Sequence, residues 1–482
     1  MKTPTLVTAV MLALVAETTT TTRGLAQCTA SWSQLGGTFD LFLTDAAAMP
    51  NGDIVVSGEF ASVGGTPIDY VARWNGTGWS PLGPGLVTDH PPLLPMSNGD
   101  LIVGGTIPLP GGGFGNPVRW SGTSWSAVGP AVITIWGRFY CLTLMPNGDL
   151  VAGGEWSLPG GGFGNLARWD GVTWSNLGPP VSGGIGQIRA LPNGDLVVSG
   201  GPPLQFMRWN GTAWSNLGIA PSAWEVMANG DLVATVPAST GGSTLLRWNG
   251  AAWTPLGSLP GGASSMASLP NGDLVVATRL VTTSTTVDMT RWDGATWHPL
   301  QPLTASNSVR LVSLPDGVVA LANHFTSGVG FSCYAAKLTT SCAPIATTFA
   351  AGCASSGGSN TLTATSMPWV DATLRTRGSG LPNLAVVLTV TSFASIPQGT
   401  APLASFFGST SPAGCDLLVG PDIVQAFVTT NGVVDASLFV PSSPAIVGVP
   451  FFQQMIPVEV NSALDVLAIT ATNSLRLVPG DF

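Results

Sequence analysis

Apolar residues occur along this chain in short runs that are broken by Gly, Pro, Asn or Thr. Such runs predict short β-strands joined by tight turns. One arrangement recurs. An apolar strand ends in Pro-Asn-Gly-Asp, a second strand follows, and after a variable loop a third strand ends in Arg-Trp. An Asn-Gly or Asp-Gly turn then leads into Trp-Ser-x-Leu-Gly. Because these dipeptides favour the type I′ turn, each unit is predicted to be a four-stranded antiparallel meander.

The meander repeats with the period of propeller blades. Asn-Gly-Asp occurs six times, and a degenerate copy, Pro315-Asp316-Gly317, follows. Consecutive glycines lie between 36 residues (194 to 230) and 49 residues (99 to 148) apart, a spacing typical of β-propellers. One such sheet cannot bury both of its faces, whereas seven packed radially can. We therefore expect a seven-bladed β-propeller over residues 27–342.

The seventh unit lacks a fourth strand, and a spare one stands at the start of the chain. Trp32-Ser33-Gln34-Leu35-Gly36 matches the fourth strand of the other units. We expect it to pair with the third strand of the last unit, which would remove the open edge of the ring.

The cysteine positions agree with this closure. By the spacing of the other units, Cys28 and Cys342 fall at the two ends of the turn that the chain break deletes. We predict that a disulfide joins them, because the ends of such a turn lie within disulfide reach. A second disulfide is expected between Cys353 and Cys415, and buried thiols at Cys141 and Cys333.

The N-terminus has the pattern of a secretory signal. Lys2 precedes an apolar stretch at 6–16, and small residues at Gly24 and Ala26 place cleavage after Ala26. No later apolar run is long enough to cross a bilayer. Only 9% of residues are charged and the net charge is −9, which argues against nucleic-acid binding. We expect a secreted or cell-surface protein without a transmembrane segment, in an oxidising compartment where the cysteines pair.

The repeat resembles two groups of kelch-like propellers over about residues 29–340. The Pro-Asn-Gly-Asp step followed by a hydrophobic strand and Gly153-Gly154 is similar to the bacterial delta-60-type repeat. The Asn-Gly-x-Trp-x-x-Leu-Gly segment is similar to the fungal Rax2-like cell-surface propeller. This resemblance implies the fold and leaves the function open, because such repeats occur on proteins of many roles.

After Cys342 the repeat stops. Residues 343–360 are small, polar and Gly/Ser-rich, and we expect a linker there. Residues 361–482 contain strand-like runs and no amphipathic helix, which predicts a β-sandwich; the runs are 361–365, 385–393, 424–429, 433–440 and 464–470. The segment is similar to C-terminal domains of large secreted bacterial proteins, with paired Gly-Cys steps (Gly352-Cys353 and Gly414-Cys415). That resemblance implies a sorting or attachment role.

Residues that recur in every unit are interpreted as structural. We expect the paired Trp to pack neighbouring blades together, and the Arg of Arg-Trp to pair with the Asp of Asn-Gly-Asp. Such exposed ion pairs contribute about 0–1 kcal/mol each. One carboxylate per blade does not make a calcium cage, so neither a metal nor a cofactor is expected. Representative structural residues are Asp53, Arg73, Trp74, Trp79, Asp149, Arg168, Trp169 and Trp174.

Ligand-binding residues are expected on the opposite face. The uniform turns within the meander lie on one face, and the variable second-to-third and fourth-to-first connections lie on the other, where propeller function usually resides. Non-repeated aromatic and titratable residues near that face are the candidates: Trp136, Trp156, Trp224, Glu155, Asp89, His90 and His324. His90 and His324 with Asp89 would also offer a metal site, the less favoured alternative.

The expected function is non-enzymatic binding or adhesion by a monomer, with an extracellular glycan or protein as ligand. The alternative is a polysaccharide hydrolase or lyase, with acid or base residues among Glu59, Glu155, Glu225 and Asp89. A carboxylate pair roughly 5–10 Å apart in one pocket of the variable face would favour the enzyme. A purely structural surface-layer role would instead predict no pocket.

Overall fold

The computed structural model describes residues 28–481 except for 84–90, 106, 109–113, 116, 130–137, 158–162, 180–183, 201–204, 228–229, 240, 280–285, 306–307 and 327–329. The expected signal peptide lies outside the described residues. The described chain is nearly all β, as predicted, with one short α-helix at Ala404–Phe407 and 3-10 turns at Gly408–Thr410 and Pro444–Ile446. Within these residues, no helix is both long enough and apolar enough to cross a membrane.

The described residues before Cys342 form seven four-stranded antiparallel sheets, named sheets 1 to 7 in chain order. Each of the first six is a meander from first to fourth strand, as the repeat predicts. Their strands are Leu43–Ala48, Ile54–Gly58, Val71–Trp74 and Trp79–Pro81 (sheet 1); Leu93–Pro95, Leu101–Val103, Val118–Trp120 and Trp125–Ala127 (sheet 2); Arg138–Leu144, Leu150–Ser157, Phe163–Trp169 and Trp174–Asn176 (sheet 3); Ile185–Ala190, Leu196–Gly200, Gln205–Trp209 and Trp214–Asn216 (sheet 4); Ala223–Val226, Leu232–Pro237, Ser243–Trp248 and Trp253–Leu259 (sheet 5); Gly262–Ser268, Leu274–Arg279, Thr286–Trp292 and Trp297–Thr304 (sheet 6).

Sheet 7 takes strands from both ends of this region. Ser308–Leu314, Gly317–Asn323 and Tyr334–Thr340 are its first three strands, and Ala30–Gln34 pairs antiparallel with the third, with Trp32 opposite Leu338. Cys28 and Cys342 are disulfide-bonded, with their Cα atoms 5.5 Å apart. Both predicted disulfides are present, and the two remaining thiols are buried.

The core of this region lies between neighbouring sheets. Each of seven apolar clusters combines side chains from two adjacent sheets, and one of them joins sheet 7 to sheet 1. Buried Asn323 of sheet 7 accepts a hydrogen bond from Leu43 N and donates one to Leu43 O, each at 2.9 Å. The first strands of sheets 7 and 1 are also in contact. The arrangement is therefore propeller-like.

The repeated Trp and Gly form the contact between sheets. The two Trp rings of a unit lie with centroids 5.0–5.5 Å apart, and Trp79 Nε1 donates to Leu35 O of sheet 7. Gly83, which ends the fourth strand motif of sheet 1, has φ +71°, and a Cβ there would lie 2.5 Å from the Trp120 ring of sheet 2. The glycine that ends the fourth-strand motif of one sheet thus packs against the Trp pair of the next sheet.

The predicted ion pairs are present in all seven sheets. Each repeated cation reaches the Asp at the start of the second strand: Arg73–Asp53, Arg119–Asp100, Arg168–Asp149, Arg208–Asp195, Arg247–Asp231, Arg291–Asp273 and Lys337–Asp316. In sheet 1, Asn51 Nδ2 also donates to Asp53 Oδ2 at 2.7 Å. These contacts fix the register of the second and third strands.

The C-terminal part contains two sheets packed face to face. A long sheet has the order Ile345–Phe349, Ser474–Val478, Phe451–Val460, Ala385–Ser392 and Ile423–Val428, with Val466–Ile469 also pairing Phe451–Val460. A short sheet contains Thr361–Ala364, Ala372–Ser379 and Val434–Val440, and the two sheets share one apolar core. The five predicted strands are present. The expected linker at 343–360 instead begins with a strand, because Ile345–Phe349 pairs with Ser474–Val478.

Four further hairpins are present, and each consists of two strands of two residues. They are Ser62–Val63 with Thr66–Pro67, Ile107–Pro108 with Phe114–Gly115, Phe325–Thr326 with Gly330–Phe331, and Ala354–Ser355 with Gly358–Ser359. The first three extend second-to-third connections, so they lie on the face of the variable loops.

Candidate functional site

A polar cavity lies among the first strands of the sheets. It has two parts, of about 560 Å³ and about 460 Å³, which share Gly186, Ser308 and Arg310. Sheets 1, 2, 3, 4 and 7 line the larger part, and sheets 4 to 7 line the smaller one. Because every described sheet contributes to one part or the other, the cavity is central to the set of sheets.

Bulges in the first strands place residues at the wall of this cavity. The pairing register with the second strand shifts in sheets 1, 3, 4 and 6, which leaves one residue unpaired in each: Thr44, Tyr140, Gly186 and Ser264. All four residues line the cavity. Bulges of this kind re-aim side chains and are common beside functional sites.

The larger part opens towards the variable loops. Its lining residues Thr44, Tyr140, Gly186 and Ser308 stand at or near the starts of their strands. The start of a first strand follows the variable fourth-to-first connection. The cavity therefore lies at the face on which the sequence predicts the ligand.

An ion pair between sheets 7 and 1 crosses the larger part. Arg310 Nη2 lies 3.2 Å from Asp45 Oδ1, while Asp45 Oδ2 accepts a hydrogen bond from Leu93 N of sheet 2 at 2.9 Å. Both oxygens of this carboxylate are therefore engaged. The Arg310 side chain is 45% exposed, so its guanidinium also faces solvent in the cavity.

A second ion pair joins sheets 4 and 5 in the smaller part. Arg189 Nε and Nη2 donate to Glu225 Oε1 at 3.1 Å and Oε2 at 3.4 Å. Glu225 is buried, and its charge raises the pKa of Arg189 above the usual arginine value. Glu225 Oε1 also accepts from Val226 N at 3.0 Å, so this carboxylate acts as an anchor for Arg189.

Hydroxyl groups and an aromatic ring complete the lining. Tyr140 is 36% exposed at the larger part. Arg138 lines the same part. Several hydroxyls face one part or the other: Thr44, Ser199, Ser222, Ser264, Ser265 and Ser308. The cavity thus offers paired charges, hydroxyls and aromatic side chains, which are Phe42, Tyr140 and, at its border, Trp224.

Trp224, one of the predicted ligand-binding candidates, is buried. Its side chain is 3% exposed and packs against Phe206, with ring centroids 5.1 Å apart. Its Nε1 donates to Ser199 Oγ at 2.7 Å. The ring is therefore part of the core between sheets 4 and 5, although Trp224 also borders the cavity.

The other sequence candidates are placed only in part. Asp89, His90 and Trp136 lie outside the described residues. Glu155 and Trp156 lie in the second strand of sheet 3, but their side chains are outside the described set.

His324 and Glu59 follow the second strands of sheets 7 and 1, respectively. His324 is half-buried, and its Nδ1 has no hydrogen-bond partner among the described residues. Glu59 N donates to Phe42 O at 2.9 Å. Across the described residues, no three His, Cys, Asp or Glu side chains form a group able to hold a metal ion.

The cavity arginines were missed by the sequence prediction, although the repeat contains a signal for them. Residues 28–342 contain ten Arg, of which six belong to Arg-Trp steps; the four left are Arg138, Arg189, Arg279 and Arg310. Three of those four line the cavity. Departures from the repeat at first-strand positions would have identified them.

Comparisons with known proteins give distant structural likenesses only. No family model matches the chain, and no curated protein matches it significantly. YCF48 from Cyanidioschyzon merolae is 15% identical at a TM-score of 0.41, covering 64% of this chain and 98% of that one. A PL25 ulvan lyase is 13% identical at 0.39, covering 63% and 95%. The GH74 xyloglucanase from Xanthomonas campestris is 16% identical at 0.40, covering 63% and 55%. At these values they assign neither family nor function.

Proposed function

We propose that the protein is a secreted, non-enzymatic binding scaffold that holds an extracellular glycan in the central cavity. In this account the seven sheets are the blades of one seven-bladed β-propeller over residues 27–342, closed by the N-terminal strand. The segment from about 343 to 482 is a β-sandwich that serves in sorting or attachment. The signal pattern at 1–26 and the two disulfides support export.

One observation carries this proposal: non-repeated polar residues from several sheets converge on one cavity. The packing common to all sheets uses the repeated residues. The convergent departures from the repeat therefore serve a role beyond that packing, although two of their ion pairs also join neighbouring sheets. Concave sites with a few convergent polar groups are the usual binding sites of proteins. Paired guanidinium and carboxylate groups, hydroxyls and an aromatic ring suit a polyhydroxylated ligand, because they offer donors, acceptors and a flat apolar face together.

The alternative, a polysaccharide hydrolase or lyase, has less support. General acid–base catalysis requires a carboxyl group within reach of the substrate and free to exchange its proton. The carboxylates of Asp45 and Glu225 are each held by an arginine and by a backbone N–H. Among the described cavity residues, neither part contains a second carboxylate beside them.

A glycan array probed with the full-length protein tests the proposal. Wild type is expected to bind a restricted set of glycans, and Arg310→Ala is expected to lose that set. Arg377→Ala is a matched control, because Arg377 also pairs with an aspartate, Asp435, and is 53% exposed, but lies in the C-terminal part. A wild-type array without selective binding, or equal losses in the two variants, would contradict the proposal. Release of products from a bound glycan would favour the enzyme.

A further inference from the structure

Two more cavities lie on the opposite face of the sheets, where the uniform turns stand. One, of about 430 Å³, lies between sheets 1 and 2, and the other, of about 420 Å³, between sheets 4 and 5. We name them the 1–2 groove and the 4–5 groove. Equivalent residues of the repeat line both: Met49 and Leu191, Pro50 and Pro192, Asn51 and Asn193, Arg73 and Arg208, Gly99 and Gly230, Trp120 and Trp248, and Gly122 and Gly250. The grooves are therefore two copies of one site.

The protein's own C-terminal part fills the equivalent position between sheets 6 and 7. Trp369 is 3% exposed and belongs to the same apolar cluster as Leu269 and Leu338, which correspond to Met49 and Trp120 of the 1–2 groove. The backbone of Trp369 bridges to Gly480. An indole from outside the seven sheets is thus buried where the two grooves are open.

A carboxylate accompanies this indole. Asn271, the counterpart of Asn51, donates through Nδ2 to Asp481 Oδ1 at 3.4 Å. Thr340 Oγ1 donates to Asp481 O at 2.7 Å, and Asp481 also bridges Cys342. The chain itself therefore shows the chemistry that this position accepts, namely an indole next to an acidic group.

Two substitutions adapt the position between sheets 6 and 7 to its occupant. Leu338 replaces the third-strand Trp, and Gln301 replaces the Gly that elsewhere fits under that Trp. The 1–2 groove keeps the third-strand Trp, Trp120, and has an open volume of about 430 Å³ beside it. The Arg73 side chain is 41% exposed at that groove, and Arg247 is 49% exposed at the 4–5 groove. Each of these arginines is paired with an aspartate of its own sheet, and its guanidinium remains partly exposed to the groove.

We propose that the 1–2 and 4–5 grooves are docking sites for a peptide segment of a partner protein that carries a tryptophan beside an acidic residue. The segment would place its indole against Trp120 or Trp248. Its carboxylate would lie beside Asn51 or Asn193, the counterparts of the Asn271 that donates to Asp481. This interaction uses the face opposite the central cavity. Peptide binding can therefore be tested independently of glycan binding.

The test uses full-length protein and a fluorophore-labelled synthetic peptide with the sequence of residues 363–373. In this peptide Asp371, two positions after Trp369, supplies the carboxylate that Asp481 supplies in the folded chain. Fluorescence anisotropy is expected to show two peptides bound per protein. The same peptide with Trp replaced by Ala is expected not to bind. Ser97→Trp would fill the 1–2 groove from an exposed position and reduce the stoichiometry to one.

Val172→Trp is the matched control, because Val172 is an exposed turn residue of sheet 3 that lines neither groove. It is expected to leave two sites. Unchanged anisotropy over the whole titration, or binding that survives Ser97→Trp at full stoichiometry, would overturn the proposal. An array glycan whose binding is lost in Ser97→Trp but not in Val172→Trp would also overturn it, since the groove would then be a saccharide site.

Discussion

Arg189 of sheet 4 and Glu225 of sheet 5 form an ion pair that joins two sheets, with Nε 3.1 Å from Oε1. The repeated Arg–Asp pairs, in contrast, each join two strands of one sheet. Arg310 and Asp45 form a second pair between sheets. Both of these pairs line the central cavity, so the same contacts that hold neighbouring first strands together also present guanidinium groups to a ligand.

Removing Glu225 is expected to destabilise the protein. Glu225→Ala leaves the Arg189 guanidinium without its carboxylate at a half-buried position, and an unsatisfied buried polar group costs about 1–3 kcal/mol. Arg377→Ala removes an exposed pair that solvent screens, so it should lower the free energy of unfolding by less than Glu225→Ala does. Urea denaturation of both variants measures the difference. Equal losses would show that the pair between sheets has no special structural role.

A methyl group at Gly83 is expected to disrupt the contact between sheets 1 and 2. Gly83→Ala places an L residue at φ +71° and brings its Cβ to 2.5 Å from Trp120. Gly76→Ala is the control, because Gly76 has φ +95° but a Cβ there meets nothing within 4 Å. Backbone strain alone costs about 1–2 kcal/mol, and overpacking adds about 1–3 kcal/mol. The melting temperature of Gly83→Ala should therefore be clearly lower than that of Gly76→Ala. Equal melting temperatures would contradict the close contact between Gly83 and Trp120.

Protonation of Asp273 in sheet 6 is expected to stabilise the folded protein in mild acid. Burial raises the pKa of Asp273 from 3.8 to about 6, against the opposing effect of Arg291. Since the folded pKa lies above the unfolded one, the stability from protonation is fully present below about pH 3.8 and is lost as pH rises through about 6. This difference corresponds to at most about 3 kcal/mol.

Asp273→Asn separates this effect from other titrations. Urea denaturation from pH 4 to pH 7 should show that wild type loses stability relative to the variant as pH rises. A constant difference between wild type and Asp273→Asn over that range would contradict the assignment.

The repeat made the sheets and the contacts between neighbouring sheets predictable from the sequence. Asn-Gly-Asp fixes a turn, Arg-Trp fixes the end of the third strand, and the positions of Cys28 and Cys342 relative to these steps give the disulfide. Each of these inferences uses local chemistry that recurs in every unit. Packing between sheets then follows, because positions shared by all units meet the same neighbours.

The strand at Phe451–Val460 in the C-terminal part was missed because buried polar residues hide its pattern. Gln453 and Gln454 are both buried. Gln453 Oε1 accepts from Thr376 Oγ1 at 2.8 Å, and Gln454 Oε1 accepts from Leu418 N at 2.8 Å. Their partners come from distant parts of the chain, so hydropathy alone gives no sign that these amides are satisfied inside a core.

The cavity was only half predictable. The variable face follows from the meander, but the side chains that enter the cavity depend on bulges. Tyr140 lies in a bulge between Phe139 and Cys141, and no sequence pattern marks that register shift. Trp224, a Trp outside the repeated positions, is buried between sheets and borders the cavity. A departure from the repeat therefore indicates that a residue lies near the cavity, but it does not indicate whether the side chain is exposed there.

The most direct test of the central claim is calorimetric titration of the strongest array glycan into wild type, Tyr140→Ala and Arg377→Ala. The account predicts one site per protein, a dissociation constant at least about tenfold higher in Tyr140→Ala, equivalent to about 1.4 kcal/mol, and an unchanged value in Arg377→Ala. Equal affinity in all three proteins would place the ligand outside the central cavity and contradict the account.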